Sequence, residues 1–320
     1  MTERRPYPLD TTPWRPPRAT PPKKVGITDT AQHTQGIADW VATRGGRRLF
    51  AMVLPDPRSV TDTTTPTVVF EAGAGTSRSS WAKVQPEVAR FTRAIVYDRS
   101  GLGRSAPDSA GRTLHRMADD LNDVLDHFEP GPFILVGHSA GGPIVRLAAA
   151  RRPDRIAGLI LVDPADEAAD VLFSRSFRRG ERIALGVGTV LTPLGLTKVL
   201  FRRHLRDIPA DVRRDLRREG FTSGVLRTQR HQARTFLDEL ATWRDNPPDH
   251  GSIPVTVISG GRVGDGMNAA IRAEAIASHA HRAARAHQGR HVIAEHSGHY
   301  VPLTEPDLIV REITRMTAPS

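Results

Sequence analysis

One stretch of this chain could do chemistry largely by itself. Phe133-Ile134-Leu135-Val136 is a short apolar run, and Gly137-His138-Ser139-Ala140-Gly141-Gly142 follows it directly. An apolar strand that runs into Gly-x-Ser-x-Gly and then into a helix forms a sharp elbow. Side chains two residues before and after the serine would collide in such a turn, which is why Gly137 and Gly141 stand there. The turn pushes the Ser139 hydroxyl out at the top of a sheet, as a nucleophile requires. The helix that begins behind it adds a positive end and free N–H groups. The N–H of Ala140, just after the nucleophile, is placed to hold an oxyanion.

Other chemistries find less support. The chain has no cysteine, which excludes a thiol nucleophile, a disulfide framework and any cysteine-held metal. His279, His281 and His287 share one expected helix without a matching set of carboxylates; they are expected to be solvated, and no metal is expected. Gly73-x-Gly75 meets Arg78 where a dinucleotide fingerprint wants a small residue. Gly101-x-Gly103 lies at no clear strand-to-helix turn, and there is no phosphate-binding Gly-Lys-Ser/Thr. No cofactor is expected.

The elements around the elbow follow from periodicity. Val41 to Val53, straddling Gly45-Gly46, reads as a hairpin. Strands are expected at 67–70, 94–97, 133–136, 156–162, 255–258 and 291–294. Helices are expected at 81–91, 113–128, 141–151, 269–287 and 306–316. The 113–128 helix carries Leu114, Met117, Leu121, Val124, Leu125 and Phe128 at helical spacing. Strands alternating with helices imply a doubly wound, mainly parallel α/β sheet covered on both faces. Residues 165–250 break the alternation with Arg-rich helical stretches and no clear strand. The expected organisation is a Pro/Arg-rich disordered tail at 1–35, a core built from 36–164 and 251–320, and a helical cap at 165–250.

The elbow in this setting resembles the α/β-hydrolase fold group of serine esterases, lipases and thioesterase-like enzymes, over about residues 40–318. The resemblance implies a base in the loop after the last strand. There Ser297-Gly298-His299-Tyr300, then Pro302 and an acidic residue, resembles the family's histidine loop and points to His299. His296 is the competitor, and His138 is implied to be a packing or pocket residue. The implied acid is Asp163, after the strand at 156–162, or Asp265, after the strand at 255–258; both stay open. Asp98 matches a structural turn of the family. The second oxyanion donor is implied to be the Ala74 N–H, on a loop where Ala72-Gly73 replaces the family's His-Gly. Serine at the elbow argues against the haloalkane dehalogenases and epoxide hydrolases of this group, which carry aspartate there.

The expected function is a serine hydrolase that cleaves a carboxylic ester or thioester through an acyl-enzyme. Acyl transfer and perhydrolysis would use the same residues. A non-catalytic lipid- or nucleic-acid-binding protein on the same fold is the alternative from another class. Charge bears on partners. The net charge is +10, and residues 173–234 hold 15 basic and 5 acidic residues, so the cap alone carries the equivalent of the whole excess. Ile183 to Phe201 is nearly apolar, but Pro193, glycines, threonines and Lys198 interrupt it, which argues for a lid rather than a membrane span. The partners expected are a small ester-type molecule with an apolar acyl group and weak contact of the cap with an anionic membrane; no nucleic acid is expected. No apolar leader follows the N-terminus, so a cytoplasmic location is expected.

Overall fold

The computed structural model describes residues 33–56, 65–201 and 205–318. Its strands are β1 (Ile37–Ala42), β2 (Arg48–Leu54), β3 (Thr67–Glu71), β4 (Ala94–Tyr97), β5 (Phe133–His138), β6 (Ile156–Val162), β7 (Val255–Gly260) and β8 (Gly289–Ala294). They form one sheet in the order β1-β2-β4-β3-β5-β6-β7-β8. The β1–β2 and β2–β4 pairs are antiparallel; every pair from β4 to β8 is parallel. The strand order reverses around β3 and β5, and crevices for ligands open at the carboxyl ends of strands at such a point.

The helices are α1 (Gln85–Val88), α2 (Leu114–His127), α3 (Gly141–Arg151), α4 (Arg175–Leu191), α5 (Leu196–Leu200), α6 (Ala210–Glu219), α7 (Ser223–Ala233), α8 (Phe236–Ala241), α9 (Ala269–Ala284), α10 (Val301–Thr304) and α11 (Pro306–Thr317). They cover both faces of the sheet. In β5, Phe133 and Leu135 join an apolar layer with α2, α3 and α8, while Ile134 and Val136 join a second layer with α1 and α11. A strand buried on both faces reads as a continuous apolar run, which is why β3 to β6 were legible without alternation.

Local chemistry sets the element ends. Thr113 caps α2 by accepting from the Arg116 N–H, and Asn268 caps α9 by accepting from the Ile271 N–H. The helix expected over 81–91 is instead a 3₁₀ turn at Arg78–Trp81 and the single turn of α1, with Pro86 inside it. Proline has no N–H to continue a helical ladder through that point. α9 ends at Ala284, short of the expected 287.

The tail expected at 1–35 lies outside the described residues except for its last three. These three are packed, not loose. Thr34 donates from its N–H and its hydroxyl to Asp211 on α6, at 2.6 and 2.9 Å. Gln35 is fully buried and donates to the Arg78 carbonyl. Residues 33–35 are therefore held in place, because an acidic pair on α6 and a buried carbonyl offer these polar residues partners.

α4 to α8 occupy the span between β6 and β7. They reach the carboxyl edge of the sheet, where Phe177 of α4, Gln229 of α7 and Phe236 of α8 line a cavity with Ser139.

Candidate active site

Ser139 stands between β5 and α3 with φ +54°, a left-handed conformation that few non-glycine residues adopt. The flanking glycines are required by space. A Cβ on Gly137 would lie 2.6 Å from the Gly141 carbonyl oxygen, and one on Gly141 would lie 2.6 Å from the Glu71 carbonyl oxygen. Gly142 is as tight, because a Cβ there would meet Pro164 at 2.5 Å. The elbow is thus pressed between β3 and the turn after β6. The Ser139 N–H donates to Val162, and the Ala165 N–H donates back to Ser139, each at 3.0 Å.

His299 comes from the loop after β8. Its Nε2 lies 3.0 Å from the Ser139 Oγ and its Nδ1 lies 2.7 Å from an Asp163 carboxylate oxygen. Asp163 ends β6 with φ +40°. Its other oxygen accepts from the Gly260 N–H at 2.9 Å and from Arg272 Nη1 at 2.6 Å. Burial would raise the Asp163 carboxyl, but the His299 hydrogen bond, the neighbouring His299 and His279 rings and the Arg272 guanidinium hold it well below the usual carboxylate range. Asp163 therefore stays ionised beside the ring.

Asp265 does not reach that ring. It is exposed, and its carboxylate accepts the peptide N–H of His299 at 2.9 Å. It steadies the loop that carries His299. His296 is also exposed, and its N–H donates to Glu305. His138 packs against the His299 ring and its Nε2 lies 2.8 Å from the His299 carbonyl oxygen. Burial, and then repulsion from His299, push His138 down to about 3, so it is neutral and donates to that carbonyl. Asp98 lies in the turn after β4, where its carboxylate accepts from the N–H groups of Arg78 and Arg104 and from the Arg78 guanidinium.

Ala74 and Ala140 both line the cavity at Ser139. The loop that carries Ala74 lacks the family's histidine, and Arg99 takes hold of it instead. The Arg99 guanidinium donates to the Gly73 carbonyl at 2.6 Å and to the Ala72 carbonyl and the Glu71 carboxylate; the Tyr97 hydroxyl bonds the same carboxylate. Arg99, Glu71 and Tyr97 are all buried.

Sequence reasoning missed the layer behind Asp163. The expectation that His279, His281 and His287 are solvated fails for His279, which is buried with its Nδ1 2.7 Å from the Ser259 hydroxyl and its Nε2 2.8 Å from the Pro164 carbonyl. His281 and His287 are exposed. A signal existed: Arg272 and His279 are seven apart on α9 and so share one face. Among the described residues, no three His, Asp or Glu side chains gather as a metal site.

Two cavities meet at the serine. The first, of 180 Å³, runs from Ser139 past Val171, Leu172, Phe177, Phe236 and Leu237, and also meets Glu181 and Gln232. The second, of 380 Å³, runs the other way under Thr192, Thr197, Phe201, Phe221 and Leu303. Ala74, Ser139, Gln229 and His299 line both. Burial raises the Glu181 carboxyl against the pull of Arg178.

Comparison with known proteins agrees with this architecture. The "Uncharacterized protein YqjL" of Bacillus subtilis (strain 168) is 35% identical over 100 residues, 31% of this chain and 40% of that protein. The "Strigolactone esterase RMS3" of Pisum sativum is 35% identical over 99 residues, 30% of this chain and 37% of that protein. The matched span is thus at most about two-fifths of these relatives' length. The solved structure titled "Epoxide hydrolase CorEH without ligand" superimposes with a TM-score of 0.67 at 20% identity, covering 88% of this chain and 99% of that one; at this identity the likeness is one of fold. The family model described as "alpha/beta hydrolase fold" matches residues 66–306. The chain belongs to the α/β-hydrolase fold family.

Proposed function

We propose that this chain is a serine hydrolase that cleaves a carboxylic ester or thioester through an acyl-enzyme. The observation that carries the reading is the unbroken line Ser139 Oγ, His299 Nε2, His299 Nδ1 and Asp163, with steps of 3.0 and 2.7 Å. A binding protein needs no such line. Ser139 attacks the carbonyl carbon as His299 Nε2 takes its proton. Asp163 stabilises the imidazolium and fixes the tautomer. The N–H groups of Ala74 and Ala140 hold the oxyanion. His299 returns the proton to the leaving alcohol or thiol, then draws a proton from the attacking water and passes it to the Ser139 Oγ as the acyl–oxygen bond breaks and the acid leaves.

Asp163 rather than Asp265 is the acid in this scheme, because only Asp163 meets the imidazole. An aspartate nucleophile of the epoxide-hydrolase kind has no place here, since the elbow carries serine. The acyl group fits the 180 Å³ cavity, which is walled mainly by apolar side chains. One polar element grades that preference. Gln232 is 3% exposed and its carboxamide oxygen has no partner among the described residues. A hydrogen-bond donor on the acyl chain would satisfy it, and a buried group left unpaired costs about 1–3 kcal/mol.

The test is turnover of a panel of ester and thioester substrates by the wild type, Asp163→Asn and Asp265→Asn. The reading predicts turnover in the wild type, its loss with Asp163→Asn and its persistence with Asp265→Asn. A folded wild type that turns over no member of the panel contradicts it.

A further inference from the structure

Among the described residues, seven of the ten large apolar side chains that are exposed fall between Ile183 and Phe201. They are Ile183, Val187, Val190, Leu194, Leu196, Val199 and Phe201. The concentration is what matters, since scattered exposed apolar residues are ordinary and a contiguous patch is not. On α4, positions 183, 187 and 190 follow helical spacing and form one stripe. The opposite side of α4 is already occupied. Leu185 is buried there, and a Cβ on Gly188 would meet Leu226 of α7 at 3.2 Å. Among the described residues the outward stripe is therefore unpartnered while its back is packed.

The exposed charge that this segment itself carries is basic. Arg175, Arg179 and Arg182 are exposed on the first half of α4, and Lys198 is exposed on α5. Between residues 175 and 201 the one acidic residue is Glu181, which faces the first cavity. A second copy of the chain laid on this patch would bring arginines against arginines. An anionic surface would instead neutralise them. No helix among the described residues is long and apolar enough to cross a membrane, so this element suits lying on one. An amphipathic hairpin with a basic collar and an apolar tip has the form of an interfacial segment.

We infer that the α4–α5 hairpin docks on an anionic lipid bilayer, its apolar tip entering the interface and its arginines meeting the headgroups. Thr192, Thr197 and Phe201 of this hairpin also roof the 380 Å³ cavity that ends at Ser139 and His299. Docking would set that cavity beside the lipid surface.

Flotation of the full chain with vesicles tests the inference without reference to turnover. Phosphatidylcholine vesicles with about one-third phosphatidylglycerol should carry the protein at least about tenfold better than phosphatidylcholine alone. Val187→Glu/Val190→Glu should lower that binding about tenfold or more, because both changes put charge into the apolar stripe. Arg179→Ala/Arg182→Ala should lower it by about fivefold per arginine and flatten its salt dependence. The arginine pair carries the test if the glutamate pair proves poorly folded. Absence of flotation, flotation that ignores both pairs, or equal flotation with uncharged vesicles would overturn the inference. So would a wild-type dimer in sedimentation that Val187→Glu/Val190→Glu splits, which would assign the stripe to a second copy. Hydrolysis of a water-soluble ester should be the same in all variants; its loss throughout would count against the proposed reaction and leave the docking result standing.

Discussion

The strand that delivers Ser139 and the hairpin that roofs it are made of similar residues put to opposite ends. Ile134, Leu135 and Val136 of β5 are fully buried, whereas Val187, Val190 and Leu194 of the hairpin are 50%, 65% and 67% exposed. Both runs read as apolar in the sequence. In β5 each side chain meets a neighbour supplied by the same fold, on one face from α2 and α3 and on the other from α11. On α4 the side toward α7 is packed, while the stripe of Ile183, Val187 and Val190 is exposed. Apolarity dictates that a surface leave water; it does not dictate what covers it.

The polar groups on the two sides differ in the same way. On the sheet side the ionised groups are buried and matched. Asp163 accepts from His299, Gly260 and Arg272, and Arg78 is fully buried among Asp98, Asp215 and Glu219. On the hairpin Arg175, Arg179 and Arg182 stand in solvent. If this contrast is right, substitutions on the sheet side cost much and those on the hairpin cost little.

The largest effect should come at Asp163. Asp163→Asn keeps the shape but loses the charge that favours the imidazolium, and should cost about 10⁴ in kcat. Asp265→Asn removes one hydrogen bond to the His299 peptide and should cost about tenfold or less. Steady-state kinetics on one ester would separate them, and similar losses in both would break the distinction.

Next in size is Arg78→Met, which strands Asp98 as an uncompensated buried charge. A loss of about 3–5 kcal/mol is expected, read by urea unfolding. A loss under about 1 kcal/mol would mean that this cluster does not tie α6 to the sheet.

The pH dependence of stability should be smaller and has a definite sign. Burial depresses both His138 and His279, and His138, which also faces His299, lies at about 3. Both bind a proton less readily in the folded chain, while the unfolded chain protonates its histidines near 6.5. The unfolded state thus binds more protons in acid, so the stability present above about pH 6.5 is lost as pH falls from there toward 3. His138→Gln should flatten this slope in a series of urea midpoints; an unchanged slope would mean that His138 is charged in the folded state. The smallest effect should be that of Val187→Glu, within about 0.5 kcal/mol, since its side chain leaves solvent in neither state. A large loss there would mean that the stripe is packed in solution.

How much of this was legible depended on whether a residue's partner lies near it in sequence. The elbow was, because Gly137, Ser139 and Gly141 constrain one another across five positions. The parallel strands were, because burial on both faces leaves a continuous apolar run. The choice between Asp163 and Asp265 was not, because both follow strands next to the loop of His299. Only the third dimension separates the carboxylate at the ring from the one at the peptide N–H. The buried role of His279 was hidden for a similar reason, since its neighbours are Ser259 of β7 and Pro164 of the turn after β6. Arg99 gave a faint signal: a basic residue that follows a buried strand, where the loop beside the elbow had lost its histidine.

The central claim is that Ser139 is an activated nucleophile. Its most direct test is fluorophosphonate labelling followed by intact-mass measurement of the wild type, Ser139→Ala and Asp163→Asn. One adduct on the wild type, none on Ser139→Ala and a much slower adduct on Asp163→Asn is the predicted result. No adduct on a folded wild type, or an adduct that survives Ser139→Ala, would contradict the claim.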